Sequence, residues 1–382
     1  MPGPLSGIRV IELAGIGPGP FAAMLLADLG ADVVRVDRAA NVCDHPPGPH
    51  PDVVGRGRRS IGVDLKTDVG RQIVLDLAAG ADVLIEGFRP GVTERLGLGP
   101  AECHAVNPRL IYGRMTGWGQ HGPLASTAGH DIGYIALTGA LDSSRRAGDR
   151  PVPPANMLGD LAGGALYLVV GVLAALLEAR ESGRGQVVDA AIVDGTAHLT
   201  NFILGLRGMG LWEGAPGHNT LDTGAAFYEV YTCSDGKELA IGPLETQFYA
   251  ELLRLSGMDS DQTSPQHRYD PRTWPGAKQQ WAELFATRTR DEWAAVFDGS
   301  DACAAPVLSL DEAAEHPHLA ARGVFLDKDG QRQVAPAPRF DRTPAALDRP
   351  PAHPGEHTDE LLRQLGRTES EIAAARASGA VG

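Results

Sequence analysis

Residues 8–36, with the sequence IRVIELAGIGPGPFAAMLLADLGADVVRV, decide the fold. The β-branched runs at 8–13 and 32–36 are typical of strands, and the apolar stretch at 20–29 between them predicts a helix. A strand, a helix and a second strand in this order form a parallel β-α-β unit. The stretch therefore predicts the beginning of a doubly wound sheet.

The same alternation continues along the chain. Further strands are predicted at 60–65, 83–85, 110–115 and 186–190. One predicted helix has Ile73, Val74 and Leu77 on one face, and two more cover 161–177 and 193–208. The apolar run at 161–177 is at the short limit for a bilayer span and is bounded by Asp160 and Glu178, so we interpret it as a buried core helix. Residues 1–208 are thus expected to form a large α/β domain with a Rossmann-like parallel sheet.

The remainder predicts a second, smaller domain. After a glycine- and proline-bearing linker at 209–224, a hairpin at 227–233 and 237–241 and helices at 245–255 and 277–287 indicate an α+β domain over 225–330. A proline-punctuated return linker is predicted at 331–354. Two short helices in 355–382, at 358–365 and 370–378, are expected to rejoin the large domain.

Composition excludes several classes of protein. The 48 glycines and 28 prolines among 382 residues fall short of a low-complexity chain, and 43% apolar residues suffice for a sizeable core. The net charge of −14 argues against a nucleic-acid or anionic-membrane partner. Four cysteines without a CxxC pair, and a start that lacks a signal-peptide pattern, lead us to expect a cytoplasmic protein.

Two local sequence patterns are similar to ligand-binding motifs, but neither pattern matches its motif. Gly15, Gly17 and Gly19, with Asp37 about twenty residues on, approach a dinucleotide fingerprint, but Pro20 replaces its last glycine. We expect Pro20 to be the first residue of the helix, whose amino end still suits an anion. The histidines at 45 and 50 lie in a proline-rich stretch that we interpret as a solvated turn, because their spacing matches no zinc pattern.

Four longer motifs carry a resemblance. They are GRGRRSIGVDLK at 55–66, DVLIEGFRPG at 82–91, NPRLIY at 107–112 and PGEHTDE at 354–360. Together with residues 5–37 they strongly resemble the class III CoA-transferase (CaiB/BaiF) family, over nearly the whole chain. The segments GHDIGY at 129–134, NMLGD at 156–160 and GPLE at 242–245 are similar to the branch whose members racemise 2-methylacyl-CoA thioesters.

The resemblance implies a set of catalytic residues. The branch's acid/base pair falls on His130 and Asp160, and its assisting glutamate falls on Glu245. Inversion of a carbon beside a thioester needs one such group on each face. Asp160 is expected to head the 161–177 helix, so burial must oppose the helix dipole if it is to act as an acid. Gly159, Gly163 and Gly164 are expected to let backbone amides approach it.

Without the resemblance, simpler interpretations of these residues are favoured. A histidine or aspartate at a helix start is more often a cap than a catalyst, and Glu245 also opens a predicted helix. Two rival functions stay open. A CoA-transferase would use Asp160 as a nucleophile but has no need of His130, whereas a non-catalytic CoA-binding protein would bind without turnover.

The resemblance also implies binding residues and partners. Contacts to coenzyme A are expected from basic side chains near strand ends and from one tyrosine: Arg38, Lys66, Arg89, Arg95 and Tyr134, with Arg58 as a further candidate. No metal or redox cofactor is implied, since coenzyme A belongs to the acyl-CoA substrate. The implied assembly is an interlocked homodimer, in which Glu245 can come from the partner chain.

Overall fold

The computed structural model describes residues 3–43, 52–328 and 330–382. The predicted turn around His45 and His50 lies outside the described residues. Contacts divide the chain into two compact units. The first takes the described residues up to Thr138, Ala155–Leu199 and Ala321–Gly382, and the second takes Gly139–Pro154 and Thr200–Ala320. The domain boundaries given above remain predictions.

A parallel sheet forms the centre of the first unit. Its six strands have the order β3-β2-β1-β4-β5-β6. They are β1 (Arg9–Leu13), β2 (Asp32–Arg38), β3 (Arg58–Val63), β4 (Val83–Glu86), β5 (Ile111–Thr116) and β6 (Val187–Ala191). This confirms the predicted parallel α/β sheet. The strand order reverses between β1 and β4, which is where ligands bind in open α/β sheets.

Helices cover both faces of this sheet. They are α1 (Pro18–Asp28), α2 (Asp68–Ala79), α3 (Val92–Arg95), α4 (Pro100–Val106), α5 (Asp131–Leu137), α6 (Leu166–Ser182) and α7 (Ile192–Leu199). Short 3₁₀ turns lie at Ala39–Asn41 and Val53–Gly55, and a π-helix at Met157–Ala165 runs directly into α6. Along β1, Val10 packs into one core with α1 and α6, while Ile11 packs into the other with α2. Strand residues thus alternate between two apolar layers.

The first helix begins two residues earlier than expected. Pro18 is its first residue, so the prediction that Pro20 occupies this position is wrong. Gly17 precedes the helix with φ +71°, a backbone conformation that glycine adopts without strain. Pro20 is tolerated inside the first turn because the amides of that turn have no partner within the helix.

The apolar helix predicted at 161–177 is longer, and only one of its faces is buried. Met157–Ser182 is long and apolar enough to cross a membrane by length and composition, a test that core helices also pass. Leu168 and Val172 pack against the sheet. Leu166, Val170 and Leu177 lie on the opposite face and are exposed, the last two at 64%. The expectation of a fully buried helix was therefore wrong for this face.

The second unit contains a small antiparallel sheet and an aromatic core. Its strands are β7 (Glu229–Thr232), β8 (Glu238–Ile241) and β9 (Ala304–Pro306), in the order β7-β8-β9. Its helices are α8 (Asn201–Gly208), α9 (Thr246–Ser256), α10 (Trp274–Phe285), α11 (Arg290–Phe297), α12 (Leu310–Glu315) and α13 (Pro317–Ala321). Trp281 and Trp293 are almost completely buried around Phe285. The predicted hairpin is present, and β9 adds an unpredicted third strand.

The C-terminal segment returns to the first unit. A hairpin of β10 (Phe325–Lys328) and β11 (Gln331–Val334) stands where the return linker was predicted to begin. Arg56 anchors it by donating to the Val334 carbonyl at 2.9 Å. The last helices, α14 (Thr358–Gln364) and α15 (Glu369–Ala377), contribute Leu361 and Ile372 to the core beside α2.

A buried ion pair joins β1 to β3 and yields a test of stability. Glu12 is fully buried, and Arg58 lies 3.2 Å from its carboxylate. We expect Arg58→Met to lower the free energy of unfolding by about 3–5 kcal/mol, because it leaves an unpaired buried carboxyl. Chemical denaturation measures this change.

The same variant has a predictable pH dependence. Burial raises the pKa of Glu12, and loss of Arg58 raises it further. Glu12 then loses its proton at a lower pH in the unfolded chain than in the folded chain. The loss of unfolding free energy in Arg58→Met should therefore grow as pH rises above the pKa of Glu12 in the unfolded chain. Arg71→Met, which breaks only a surface pair with Asp68, is the control and should cost less than about 1 kcal/mol. An equal loss of unfolding free energy in Arg58→Met and Arg71→Met would contradict the stabilising role of the buried pair.

Candidate active site

A cavity of about 410 Å³ opens at the carboxyl edge of the parallel sheet in the first unit. The segments that follow β1, β4 and β5 form its walls, together with the residues before α5 and the π-helix. It therefore lies at the point where the strand order reverses. Four of the predicted site residues line it: Arg89, His130, Tyr134 and Asp160.

Asp160 reaches the cavity from the π-helix. The prediction that it heads the apolar helix is wrong, since the helical segment already begins at Met157 and Asp160 lies in its first turn. The Leu161 amide donates to the Asn156 carbonyl, a bond that spans five residues and is typical of π-helices, which often occur at functional sites. A Cβ on Gly17 would lie 3.3 Å from the Asp160 carboxylate, so this carboxylate lies close to the start of α1.

The glycines of this segment have a packing role that was not predicted. They let neighbouring helices approach the π-helix. A Cβ on Gly159 would lie 2.4 Å from the Asp131 carboxylate of α5, and one on Gly163 would lie 2.3 Å from the Thr196 hydroxyl of α7. Both distances are shorter than real contacts. The glycines are thus required for packing around Asp160.

Asp131 is a residue of this site that the sequence reasoning missed. Its Oδ1 atom accepts a hydrogen bond of 2.7 Å from the Asp160 backbone amide, and its side chain is buried. Its Oδ2 atom is buried without a hydrogen-bond partner in the described structure. Its place directly after His130 was the available signal, but nothing in the sequence indicates that it bonds to Asp160.

The surroundings of Asp160 favour its protonated form. Burial raises the pKa of its carboxyl above the usual range, and the nearby Asp131 carboxylate raises it further. A hydrogen bond from the Asn156 amide, at 3.4 Å, and the charge of His130 act in the opposite direction. The net direction is upward, as required of a group that donates a proton near neutral pH.

His130 precedes α5 and is exposed to the cavity. It occupies the N-cap position, yet its side chain makes no capping hydrogen bond. The simpler interpretation, that this histidine is a helix cap, therefore lacks its defining contact. The imidazole is available for a ligand in the cavity.

Tyr134 forms a rigid wall beside His130. Its ring meets Trp118 edge-on with 4.7 Å between the ring centroids. A Cβ on Gly117 or Gly129 would lie within 2.0 Å or 2.6 Å of the Tyr134 ring, so both positions require glycine. Because Gly129 is adjacent to His130, this packing also fixes the backbone from which the imidazole projects.

Arg89 belongs to the loop after β4, which a buried carboxylate holds in place. Glu86 accepts a 2.7 Å hydrogen bond from the Phe88 amide and lies 3.2 Å from the Arg114 guanidinium. Burial raises the pKa of Glu86 to about 7. Arg114 also donates to Gln120 at 2.8 Å, so the same pair joins two of the segments that form the cavity.

The other predicted coenzyme A contacts lie outside the cavity lining. Arg38 ends β2, Lys66 follows β3 and Arg95 ends α3, and all three are exposed. Because parallel strands end at one edge of the sheet, Arg38 and Lys66 lie at the same edge as the cavity. Arg58 does not lie at this edge. It is buried against Glu12 and therefore cannot serve as a surface contact to coenzyme A.

Glu245 belongs to the second unit. It is exposed and occupies the N-cap position of α9, which begins at Thr246 instead of the predicted 245. Its side chain makes no capping hydrogen bond. The carboxylate is therefore not committed to the helix.

The structure also bears on the dinucleotide pattern set aside above. The Asp37 Oδ2 atom accepts hydrogen bonds from Arg35 and from the Ser60 hydroxyl, at 2.7 and 2.6 Å, so this carboxylate has a structural role between β2 and β3. Within the described residues, no group of three or more histidine, cysteine, aspartate or glutamate side chains could hold a metal ion.

Comparisons with known proteins show which family and which solved fold this chain is similar to. The model of CoA-transferase family III matches residues 5–358. Alpha-methylacyl-CoA racemase from Mus musculus is 45% identical over 372 residues, covering 96% of this chain and 95% of that protein. The Homo sapiens protein of the same name is 44% identical with the same coverage. A crystal structure of a CAIB/BAIF family protein from Brucella suis superposes with a TM-score of 0.80 at 27% identity, covering 96% of this chain and 100% of that one.

The contact between Asp131 and Asp160 yields a prediction. Asp131→Asn keeps an oxygen that accepts the Asp160 amide but removes the negative charge, so the pKa of Asp160 should fall. The ¹³C chemical shift of the Asp160 carboxyl, assigned with Asp160→Asn, measures this change against pH. Asp28→Asn, which neutralises a buried carboxyl at the far end of α1, is the matched control. An unchanged titration in Asp131→Asn would refute the electrostatic coupling.

Proposed function

The chain belongs to CoA-transferase family III, and we propose that it is a racemase that interconverts the R and S forms of 2-methylacyl-CoA thioesters. The observation that carries this proposal is that His130 and Asp160 line one cavity. Relatives that are 44–45% identical over nearly their full length are named alpha-methylacyl-CoA racemase, which supports the same reaction here.

The proposed reaction moves one proton off the α-carbon and another onto its opposite face. In one direction His130 takes the α-proton, the C–H electrons move into the thioester to form a planar enolate, and Asp160 supplies a proton to the other face. In the reverse direction the two residues exchange roles. The raised pKa of Asp160 suits the donor role, because the carboxyl must hold its proton until the enolate forms.

Glu245 is proposed to support the histidine. A carboxylate that accepts a hydrogen bond from one imidazole nitrogen sets which nitrogen is free to act as base and favours the imidazolium. The family resemblance supports this role, and the absence of a capping bond leaves the Glu245 carboxylate available for it. We propose that it comes from the partner chain of a homodimer.

Coenzyme A is proposed to bind at the carboxyl edge of the sheet. Arg38, Lys66, Arg89 and Arg95 would contact its phosphates and nucleotide, and Tyr134 would line the cavity beside the thioester. An acidic protein needs such local cations to bind a phosphate-bearing ligand. The reaction as proposed uses no metal or redox cofactor, and we propose that it takes place in the cytoplasm.

A CoA-transferase is the alternative, with the Asp160 carboxylate attacking the thioester to form an anhydride. Burial and the Asp131 charge shift the pKa of Asp160 upward, which works against its use as an ionised nucleophile. Transfer also gives no task to His130, which lines the same cavity. These two points favour racemisation.

The decisive measurement is isotope exchange with a single enantiomer of a 2-methylacyl-CoA in heavy water. We expect α-deuterium incorporation together with loss of stereochemical purity. His130→Ala and Asp160→Ala should each lower the rate by about 10²–10⁴-fold, since each removes a general acid or base. His121→Ala, a histidine outside the cavity lining, should not change it. Acyl transfer to an added free acid, with borohydride-trappable label on Asp160 and no α-deuterium, would establish the transferase instead.

The proposed homodimer accounts for the exposed face of α6. Leu166, Val170 and Leu177 form one apolar stripe, because residues four and eleven apart lie on the same side of a helix. Such a stripe is costly in water and suits a second copy of the chain. The family resemblance points to the same assembly.

Sedimentation or light scattering tests the dimer. The wild-type protein should have the mass of two chains, and Val170→Glu should shift it toward a single chain, because a charge cannot be buried cheaply in an apolar interface. Val69→Glu changes an exposed valine of α2 in the same unit and should leave the dimer intact. A monomeric wild-type protein would refute the assembly.

A further inference from the structure

The start of α9, which carries Glu245, is fastened by an arginine that is buried in the second unit. Arg268 donates from Nη1 to the Glu245 carbonyl at 3.2 Å and from Nη2 to the Thr246 hydroxyl at 3.1 Å. Its side chain is buried. Within the part of the chain that the structure describes, its guanidinium forms no salt bridge. Its charge is therefore directed to backbone and hydroxyl oxygens.

Three aromatic rings hold this guanidinium. Its central carbon lies 4.7 Å from the centroid of Tyr269, 5.3 Å from that of Tyr249 and 5.9 Å from that of Phe227. Each ring presents a negative face to a cation and packs against a planar guanidinium. Phe227 meets Tyr249 and Tyr269 edge-on, so the rings also fix one another.

A second contact fixes the residue before Glu245. The Tyr269 hydroxyl donates to the Leu244 carbonyl at 2.6 Å. The backbone carbonyls of two consecutive residues, Leu244 and Glu245, are thus bonded to consecutive residues of one loop, Arg268 and Tyr269. The Glu245 side chain projects from this restrained backbone, exposed and without a capping bond.

We propose that Arg268, held by its aromatic rings, is a positioning residue that sets the direction in which Glu245 presents its carboxylate. This inference rests on the proposed function of Glu245. Arg268 acts through the backbone of Glu245 and does not touch the substrate. Lysine cannot replace it fully, because an ammonium group lacks the two-pronged planar geometry that reaches both oxygens.

The test compares steady-state kinetics of racemisation in four variants. Arg268→Met should lower kcat by about 10- to 100-fold with little change in KM, as expected when a catalytic group is displaced by about 1 Å. Arg268→Lys should recover part of the loss. Tyr269→Phe, which removes only the bond to Leu244, should give a smaller decrease. Arg290→Met removes another buried arginine of the second unit, one bonded to Glu312 and Val307, and controls for general destabilisation.

A double-variant cycle separates positioning from a purely structural role. Glu245→Gln and Arg268→Met should shift the same limb of the kcat–pH profile in the same direction, and the double variant should be no slower than Glu245→Gln alone. Additive losses, or a loss in Arg268→Met no larger than in Arg290→Met, would overturn the inference. If Glu245→Gln is fully active, the proposed role of Glu245 fails and this inference fails with it. If Glu245→Gln is impaired and Arg268→Met is not, only the inference fails.

Discussion

The hydrogen bond from the Asp160 amide to the Asp131 carboxylate is the contact on which the site depends. Asp131 directly follows His130, so this single 2.7 Å bond connects the backbone of one proposed acid/base residue to the neighbour of the other. It also brings a second negative charge next to Asp160, in surroundings already depleted of water. Geometry and proton affinity are therefore set by the same interaction: a change that breaks the bond alters both the spacing of the two groups and the ionisation of one of them.

The start of α1 differs from that of a dinucleotide-binding sheet. In dinucleotide-binding sheets the start of the first helix faces a pyrophosphate. Here the Asp160 carboxylate lies close to Gly17 at that place, and Pro18 and Pro20 remove two of the amides that would otherwise bind an anion. The helix dipole favours the ionised carboxyl, while burial and Asp131 oppose it. Burial is the largest of the effects that act on the pKa of this carboxyl, and its net direction is upward, toward the protonated form.

The sequence was sufficient for the sheet but not for the π-helix. Short runs rich in apolar residues, several of them β-branched, indicated the strands, and all six were located to within about two residues. The π-helix depends instead on contacts of Gly159 and Gly163 with α5 and α7, which are distant in sequence. Local sequence patterns do not indicate contacts between residues that are distant in the chain. For the same reason Asp131 was missed, Arg58 was misplaced, and α6 was expected to be buried all round. His130 and Asp160 were identified because extended motifs surround them, whereas their spacing alone would have indicated helix caps.

The two proposed acid/base groups differ in exposure, and this difference assigns separate tasks to the two units. Asp160 is partly buried within the first unit, where it lies close to Asp131, Asn156 and Gly17. His130 is exposed, and no comparable contact within the described part of that unit orients its imidazole. An exposed imidazole needs an external partner to select its tautomer. Glu245 offers a carboxylate on a backbone that Arg268 and Tyr269 restrain. If the second unit of a partner chain supplies that carboxylate, the histidine becomes fully oriented only in the assembled dimer. Catalytic competence would then depend on dimerisation, although the two residues proposed to exchange protons with the substrate both belong to the first unit.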